Sequence, residues 1–170
     1  MISDQNLRND RLVFYTRDVQ KIEGELDGFL ELSGARSAFL IDKEGHMVTR
    51  RGETVQNSLE AISALIAGSF AATREMARLL GEAQFSTLFH QGQRDSIQVT
   101  LVGERALFAT VFDGRTNLGL VRYYATETAS HLSEILNEML TRPVSESAPP
   151  GDQLSSDYSQ SAAAALDKLF

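Results

Sequence analysis

The sequence predicts an α/β chain of the α+β kind. It has a five-stranded antiparallel sheet between one central helix and two terminal helices, with a further short helix at the C-terminal end. Three observations predict it. The stretch Leu59 to Leu80 carries helical periodicity on two faces. Two groups of short apolar runs, before and after that stretch, are joined internally by tight turns, so neighbours within each group run antiparallel. Amphipathic helical patterns precede the first group and follow the second.

Residues 1–12 read as a polar arm, and Leu12-Val13-Phe14-Tyr15 as a short apolar patch packing on the first helix. Val19, Ile22, Leu26, Phe29 and Leu30 recur at helical spacing between Asp18 and Ser33, and Gly34 suits a C-cap. Gly24 and Gly28 lie inside that helix, each costing about 1 kcal/mol relative to Ala. They either weaken it or permit a close crossing. Ser37 to Ile41 has the length of a strand, Asp42 to Gly45 supplies turn chemistry, and Met47 to Arg50 returns as a second strand. Gly52 to Asn57 is a loop, with Asn57 or Ser58 as N-cap of the central helix and Gly81 past its end.

In the central helix Leu59, Ile62, Ile66, Phe70, Ala77 and Leu80 form the bulky stripe expected to cover the sheet. Ala61, Ala64, Gly68, Ala71 and Ala72 form a second stripe of small residues, ended by Glu75. Glu60, Ser63, Arg74 and Arg78 fill a polar wedge between them. A chain this short supplies no thick layer over both faces, so the small face is expected to meet another chain. Beyond it, Glu82 to Gln93 reads as an irregular connection. Ser96 to Leu101 alternates as a strand with one buried face, and Ala106 to Phe112, apolar on both faces, as a central strand. Leu118 to Tyr124 reads as the last strand, and a third helix follows from about Glu127 to Leu140. This gives a folded domain over 1–142, a Pro/Ser-rich linker over 143–157 and a partner-binding helix over 158–170 with Leu166, Leu169 and Phe170 on one edge. So short a helix is marginal alone and is expected to form on docking.

The totals narrow the function. A chain of 170 residues with 42% hydrophobic residues builds one packed domain plus a tail. A net charge of −7 argues against nucleic acid as a partner, and Arg50-Arg51 and Arg74/Arg78 make no basic patch that would reverse this. No run reaches the roughly 18 apolar residues of a membrane span, and no apolar signal region opens the chain. There is no cysteine, so thiol chemistry is excluded and a cytoplasmic location is expected.

Chemistry-bearing motifs are lacking. His46 has no carboxylate at ligand spacing, His90 reads as a packing residue, and His131 beside Glu134 reads as a solvated helix pair. Asp113 and Arg115 flank a glycine turn. There is no nucleophile elbow, phosphate loop or dinucleotide fingerprint. No catalytic residue, cofactor or metal is expected. The pattern suits binding: a small-residue helix face, an alternating strand and a tethered helix. A small-molecule sensor is the third class, and it would need a polar-lined cavity.

Several segments together resemble the roadblock/dynein light-chain family, and more closely its bacterial MglB-like members. They are Phe39-Leu40-Ile41-Asp42-Lys43-Glu44-Gly45, the helix core from Leu65 to Thr73, Leu79-Leu80-Gly81-Glu82 with Phe85, and Phe89-His90-Gln91-Gly92. The most specific runs from Val111-Phe112-Asp113-Gly114-Arg115 to Val121-Arg122, and Leu166-Asp167-Lys168-Leu169-Phe170 resembles an appended C-terminal helix. The resemblance implies a homodimer with its central helices side by side, two protomers binding one Ras-like GTPase of the MglA type. It implies faster GTP hydrolysis through ordering of the GTPase's own switch loops, without an arginine finger. The C-terminal helix would dock on a distant groove of the GTPase and affect nucleotide exchange. Such pairs set polarity and motility, with enrichment at a cell pole. On this resemblance the platform is Ala64, Gly68 and Ala71, edged by Arg74, Glu75 and Arg78. The alternative is a roadblock scaffold that holds a GTPase or motor complex without stimulating hydrolysis.

Overall fold

The computed structural model describes residues 12–53 and 59–142. The elements run α1 (Thr16–Ser33), β1 (Ser37–Asp42), β2 (Met47–Gly52), α2 (Leu59–Leu80), β3 (Thr87–Gln91), β4 (Ser96–Val102), β5 (Ala106–Phe112) and α3 (Leu118–Thr141). The five strands form one antiparallel sheet in the order β2-β1-β5-β4-β3. The sandwich is as the sequence predicts: α2 lies on one face, α1 and α3 on the other.

Strand β5 is the axis of the sheet. It pairs with β1 from Ser37↔Val111 to Asp42↔Ala106 and with β4 from Ser96↔Phe112 to Val102↔Ala106. All seven of its residues are buried. Because side chains alternate, Leu107, Ala109 and Val111 meet α2 through Ile66, Ala67 and Phe70. Phe108 and Phe112 meet α1 and α3 through Phe29, Leu26, Val121 and Leu132. Phe29 and Phe108 pack edge to face at 4.9 Å, a geometry that adds to the area each ring buries.

Two elements differ from the sequence reading. Leu118 to Tyr124 opens the 24-residue helix α3 and is not a strand. Asn117 caps it, its Oδ1 accepting the Leu120 N–H at 2.9 Å. Val121, Ala125, Thr128, Ala129, Leu132 and Leu136 then form one buried face, a helical rhythm that overrides the local β propensity of Val121-Arg122-Tyr123-Tyr124. The fifth strand comes from the segment that reads as irregular. Thr87–Gln91 pairs with β4 as an edge strand, and only its Leu88 and Phe89 are even partly buried, which hides it in the sequence. Phe89 stacks on Phe112 at 6.1 Å and fixes its register on the α3 side.

The β1–β2 turn lies against α2. Gly45 has φ 95°, and a Cβ there would stand 3.0 Å from the Ala64 Cα, so both conformation and contact require glycine. Gly34 caps α1 in the left-handed region, its N–H reaching the Leu30 carbonyl at 3.0 Å. Gly24 and Gly28 resolve the other way, since a Cβ at either would meet nothing within 4 Å. No close crossing among the described residues accounts for them.

Helices α1 and α3 run antiparallel, fastened along their seam among the described residues by two ion pairs and one histidine–carboxylate contact. Asp18, almost wholly buried, holds Arg142 at 2.8 Å and also accepts the Tyr15 N–H at 3.2 Å. Lys21 meets Glu138 at 3.4 Å, and His131 meets Glu25 at 2.9 Å. His131 thus pairs across the seam and not with Glu134 on its own helix. The hydrogen bond and charge of Glu25 raise the His131 pKa above the ordinary histidine value.

This packing is open to direct measurement. Asp18→Ala removes the buried carboxylate that Arg142 and the Tyr15 N–H share and is expected to cost about 3 kcal/mol in urea denaturation; a loss within error would show the pair to be dispensable. Gly24→Ala and Gly28→Ala each raise stability by about 1 kcal/mol in the same measurement. His131 titrates by NMR above the unfolded histidine, and Glu25→Gln brings it down. Because the folded pKa is the higher one, its contribution is full at acid pH and is lost as pH rises through that value.

Candidate protein-binding face on the central helix

Helix α2 buries one face only. Ser63, Ile66, Ala67, Phe70, Thr73 and Ala77 point to the sheet, with Thr73 Oγ1 donating to the Phe70 carbonyl at 2.7 Å. Ser63, placed by its sequence in the polar wedge, is fully buried, and its hydroxyl finds no partner among the described residues. Leu80, placed on the sheet-covering stripe, is exposed. The predicted platform residues Ala64, Gly68, Ala71, Arg74, Glu75 and Arg78 are all exposed in the protomer. A Cβ on Gly68 would meet nothing within 4 Å, so no neighbour among the described residues requires that glycine.

The exposed face is not built of small residues alone. Leu65, Met76 and Leu79 are 69%, 50% and 71% exposed. At 100° per residue they fall with Ala61, Gly68 and Ala72 in a single stripe centred nearly opposite the buried face. The small residues separate the large ones, making a ridged surface with dents at Gly68 and Ala72. The spacing 65, 72, 76, 79 is present in the sequence as a helical repeat. It is masked there because the alanines and glycine draw the second stripe slightly to one side.

Charge frames this face. Glu75 and Arg78 pair along the helix, with Arg78 Nε 3.0 Å from both carboxylate oxygens; each holds the other in its charged form. Arg74 has no ion pair among the described residues and borders a groove of about 330 Å³ floored by Phe70 and Leu101, with Lys43, Glu44 and Glu104 on its rim. At the far edge of the sheet, Arg36 bonds Glu53 at 2.8 Å and Asp95 at 2.6 Å, while Arg115 bonds Asp113 and Glu53 at 3.0 Å each. The two arginines lower the Glu53 pKa, Arg36 most, and Arg115 lowers that of Asp113. This network joins the ends of four strands and grips the residue from which the chain departs toward α2. Arg115, a turn charge on its sequence, is therefore committed within the fold.

The histidines carry no catalytic arrangement among the described residues. His46 does have a carboxylate neighbour, contrary to its sequence reading. Its Nδ1 is 3.1 Å from Asp42 Oδ2 and 3.8 Å from Glu44. Asp42 Oδ1 accepts the backbone N–H groups of Glu44 and His46 at 2.9 Å each, so the cluster works as the clasp of the β1–β2 turn. Leu166, Leu169 and Phe170 lie outside the described residues. Among the described residues no helix is long and apolar enough to cross a membrane.

A five-stranded sheet with this order, two helices on one face and a single helix offering its back on the other, defines a protein of the roadblock class. Residues 21–112 match the model of the Roadblock/LC7 domain, and the chain belongs to that family. It is similar to solved MglB structures. One, described as MglB with tetrameric arrangement, is 34% identical with a TM-score of 0.72, over 75% of this chain and 96% of that one. The gliding protein MglB of Thermus thermophilus is 35% identical with a TM-score of 0.71, over the same 75% and 96%. Myxococcus xanthus MglB is 35% identical with a TM-score of 0.66, over 69% of this chain and 96% of that one. No curated protein matches the sequence.

Proposed function

We propose that this chain is a homodimeric activator of a small Ras-like GTPase of the MglA type, and not itself an enzyme. The observation that carries the reading is the unpartnered apolar face of α2, in a chain that aligns with 96% of MglB at 34–35% identity. Leu65, Met76 and Leu79, exposed on a lone helix, favour burial against a second copy of the same helix, and the dents at Gly68 and Ala72 let the two backbones approach. Paired helices then make a continuous platform. Ala64, Ala71, Arg74, Glu75 and Arg78 flank it for one GTPase per two protomers.

Activation is positional. A surface that holds the switch loops of a GTPase in their reactive arrangement lowers the barrier of phosphoryl transfer with no group donated to the phosphate. The arginines support this. Arg78 is neutralised by Glu75 and Arg115 by Asp113 and Glu53, so both are already engaged within the chain. The folded unit over 1–142 would supply the platform, the linker over 143–157 the reach, and the segment over 158–170 a second contact through Leu166, Leu169 and Phe170. The cellular setting is front-rear polarity and motility, in the cytoplasm and at a pole.

The test is GTP turnover by the MglA-type GTPase of the same organism, with and without the chain at two-fold excess. Acceleration is expected. Leu65→Glu with Leu79→Glu is expected to halve the mass in light scattering and remove the acceleration, the fold being retained because both residues are exposed. Single alanine changes at Arg74, Arg78, Arg94 and Arg115 are each expected to lose far less than the ~10³–10⁵ of a missing arginine finger. Binding without acceleration would move the reading to a scaffold; a wild-type monomer would end it.

A further inference from the structure

The layer made by α1 and α3 carries a second surface unpartnered among the described residues, across the sheet from α2. The pairs Asp18–Arg142, Lys21–Glu138 and Glu25–His131 fix the antiparallel register of the two helices. The hydroxyl of Thr116 donates to the Ser33 carbonyl at 2.6 Å and closes the other end. That register sets Leu32 beside the first turns of α3. There Leu32 is 56% exposed and Tyr123 67%, with Leu120 also exposed. One and two turns back along α1, on the row that leads to Leu32, stand Gly28 and Gly24, with open space where a side chain would be. The outer surface is thus a shallow trough, glycine-lined along its middle and apolar at one end.

We propose that this trough receives the chain's own segment 158–170, docked within the same protomer. The root of the linker argues for it. Arg142 is pinned to Asp18 in the first turn of α1, so residues 143–157 set out from the end of the seam remote from Leu32. From Asp18 to Leu32, α1 runs roughly 21 Å at its rise of about 1.5 Å per residue. As a helix the segment 158–170 is roughly 18 Å long at the same rise, so with Leu169 and Phe170 at Leu32 its first residues fall near Asp18. The linker therefore has only to turn back on its own root, and closing so short a loop costs little entropy, which keeps the effective concentration at the site high. Side-chain size argues for it as well. Ala162 to Ala165 are small enough to lie along Gly24 and Gly28, and Leu166, Leu169 and Phe170 supply apolar partners for Leu32, Leu120 and Tyr123.

Docking of this kind withholds the tail. A partner that binds Leu166, Leu169 and Phe170 meets only the fraction of molecules whose tail is released, and its apparent affinity falls by that fraction. The α2 face, on the opposite side of the sheet, stays open throughout. The inference stands on the α1–α3 surface and holds whatever the α2 face binds.

The full chain has no cysteine, so Lys168→Cys gives one thiol for a nitroxide spin label. In an isotope-labelled sample the amides of Gly24, Gly28, Leu32 and Tyr123 are expected to lose most of their intensity and to regain it when the nitroxide is reduced. Leu32→Glu or Tyr123→Glu, both at exposed positions, is expected to restore them without reduction. Broadening at Leu65, Met76 and Leu79, or at no described residue, overturns the proposal. So does broadening of the trough in a mixture where the spin label and the isotope are on different molecules, which would place the tail on another copy.

Discussion

Burial of β5 on both faces is the constraint from which the rest of the molecule follows. A strand whose every residue leaves water must be covered twice. One face is covered by the pair α1 and α3, which also cover each other. The other is covered by α2 alone. A helix presents an apolar stripe to one side only, so its back remains uncovered unless something outside the chain comes to it. In α2 that back carries leucine and methionine where a solvated helix would carry charge.

The charged groups sort by the same geometry. Where they fasten elements they are paired, as Asp18 with Arg142 at the helix seam and Arg36 with Glu53 and Asp95 at the strand ends. The exposed members of these networks contribute little stability each, but they fix where a segment starts. Glu53, held by two arginines, sets the point of departure toward α2 and so helps to place the face that the proposed function uses.

Long periodic segments are legible in the sequence, and marginal ones are not. The bounds of α2 follow from a pattern many residues long, which local preferences do not disturb. The double burial of β5 follows from a short run apolar on both faces and closed by turns at either end. Leu118 to Tyr124 misleads because seven residues rich in aliphatic and aromatic types satisfy a strand as well as a helix; only the Asn117 cap and the continuation to Leu136 decide it. Thr87–Gln91 escapes because an edge strand needs few buried side chains. At the candidate site, the exposed position of Ala64, Gly68, Ala71 and Arg74 is readable from the helical step. The large residues beside them do not stand out, because the small side chains look like the whole message. Partners distant in sequence, such as Glu25 for His131, leave no trace in a local pattern.

The clasp between Asp18 and Arg142 also has a mechanical meaning. Two hydrogen bonds from the Arg142 guanidinium to Asp18 tie the end of α3 to the first turn of α1. The end of one helix cannot fray without breaking the charge pair that also holds the start of the other, so the two ends stand or fall together.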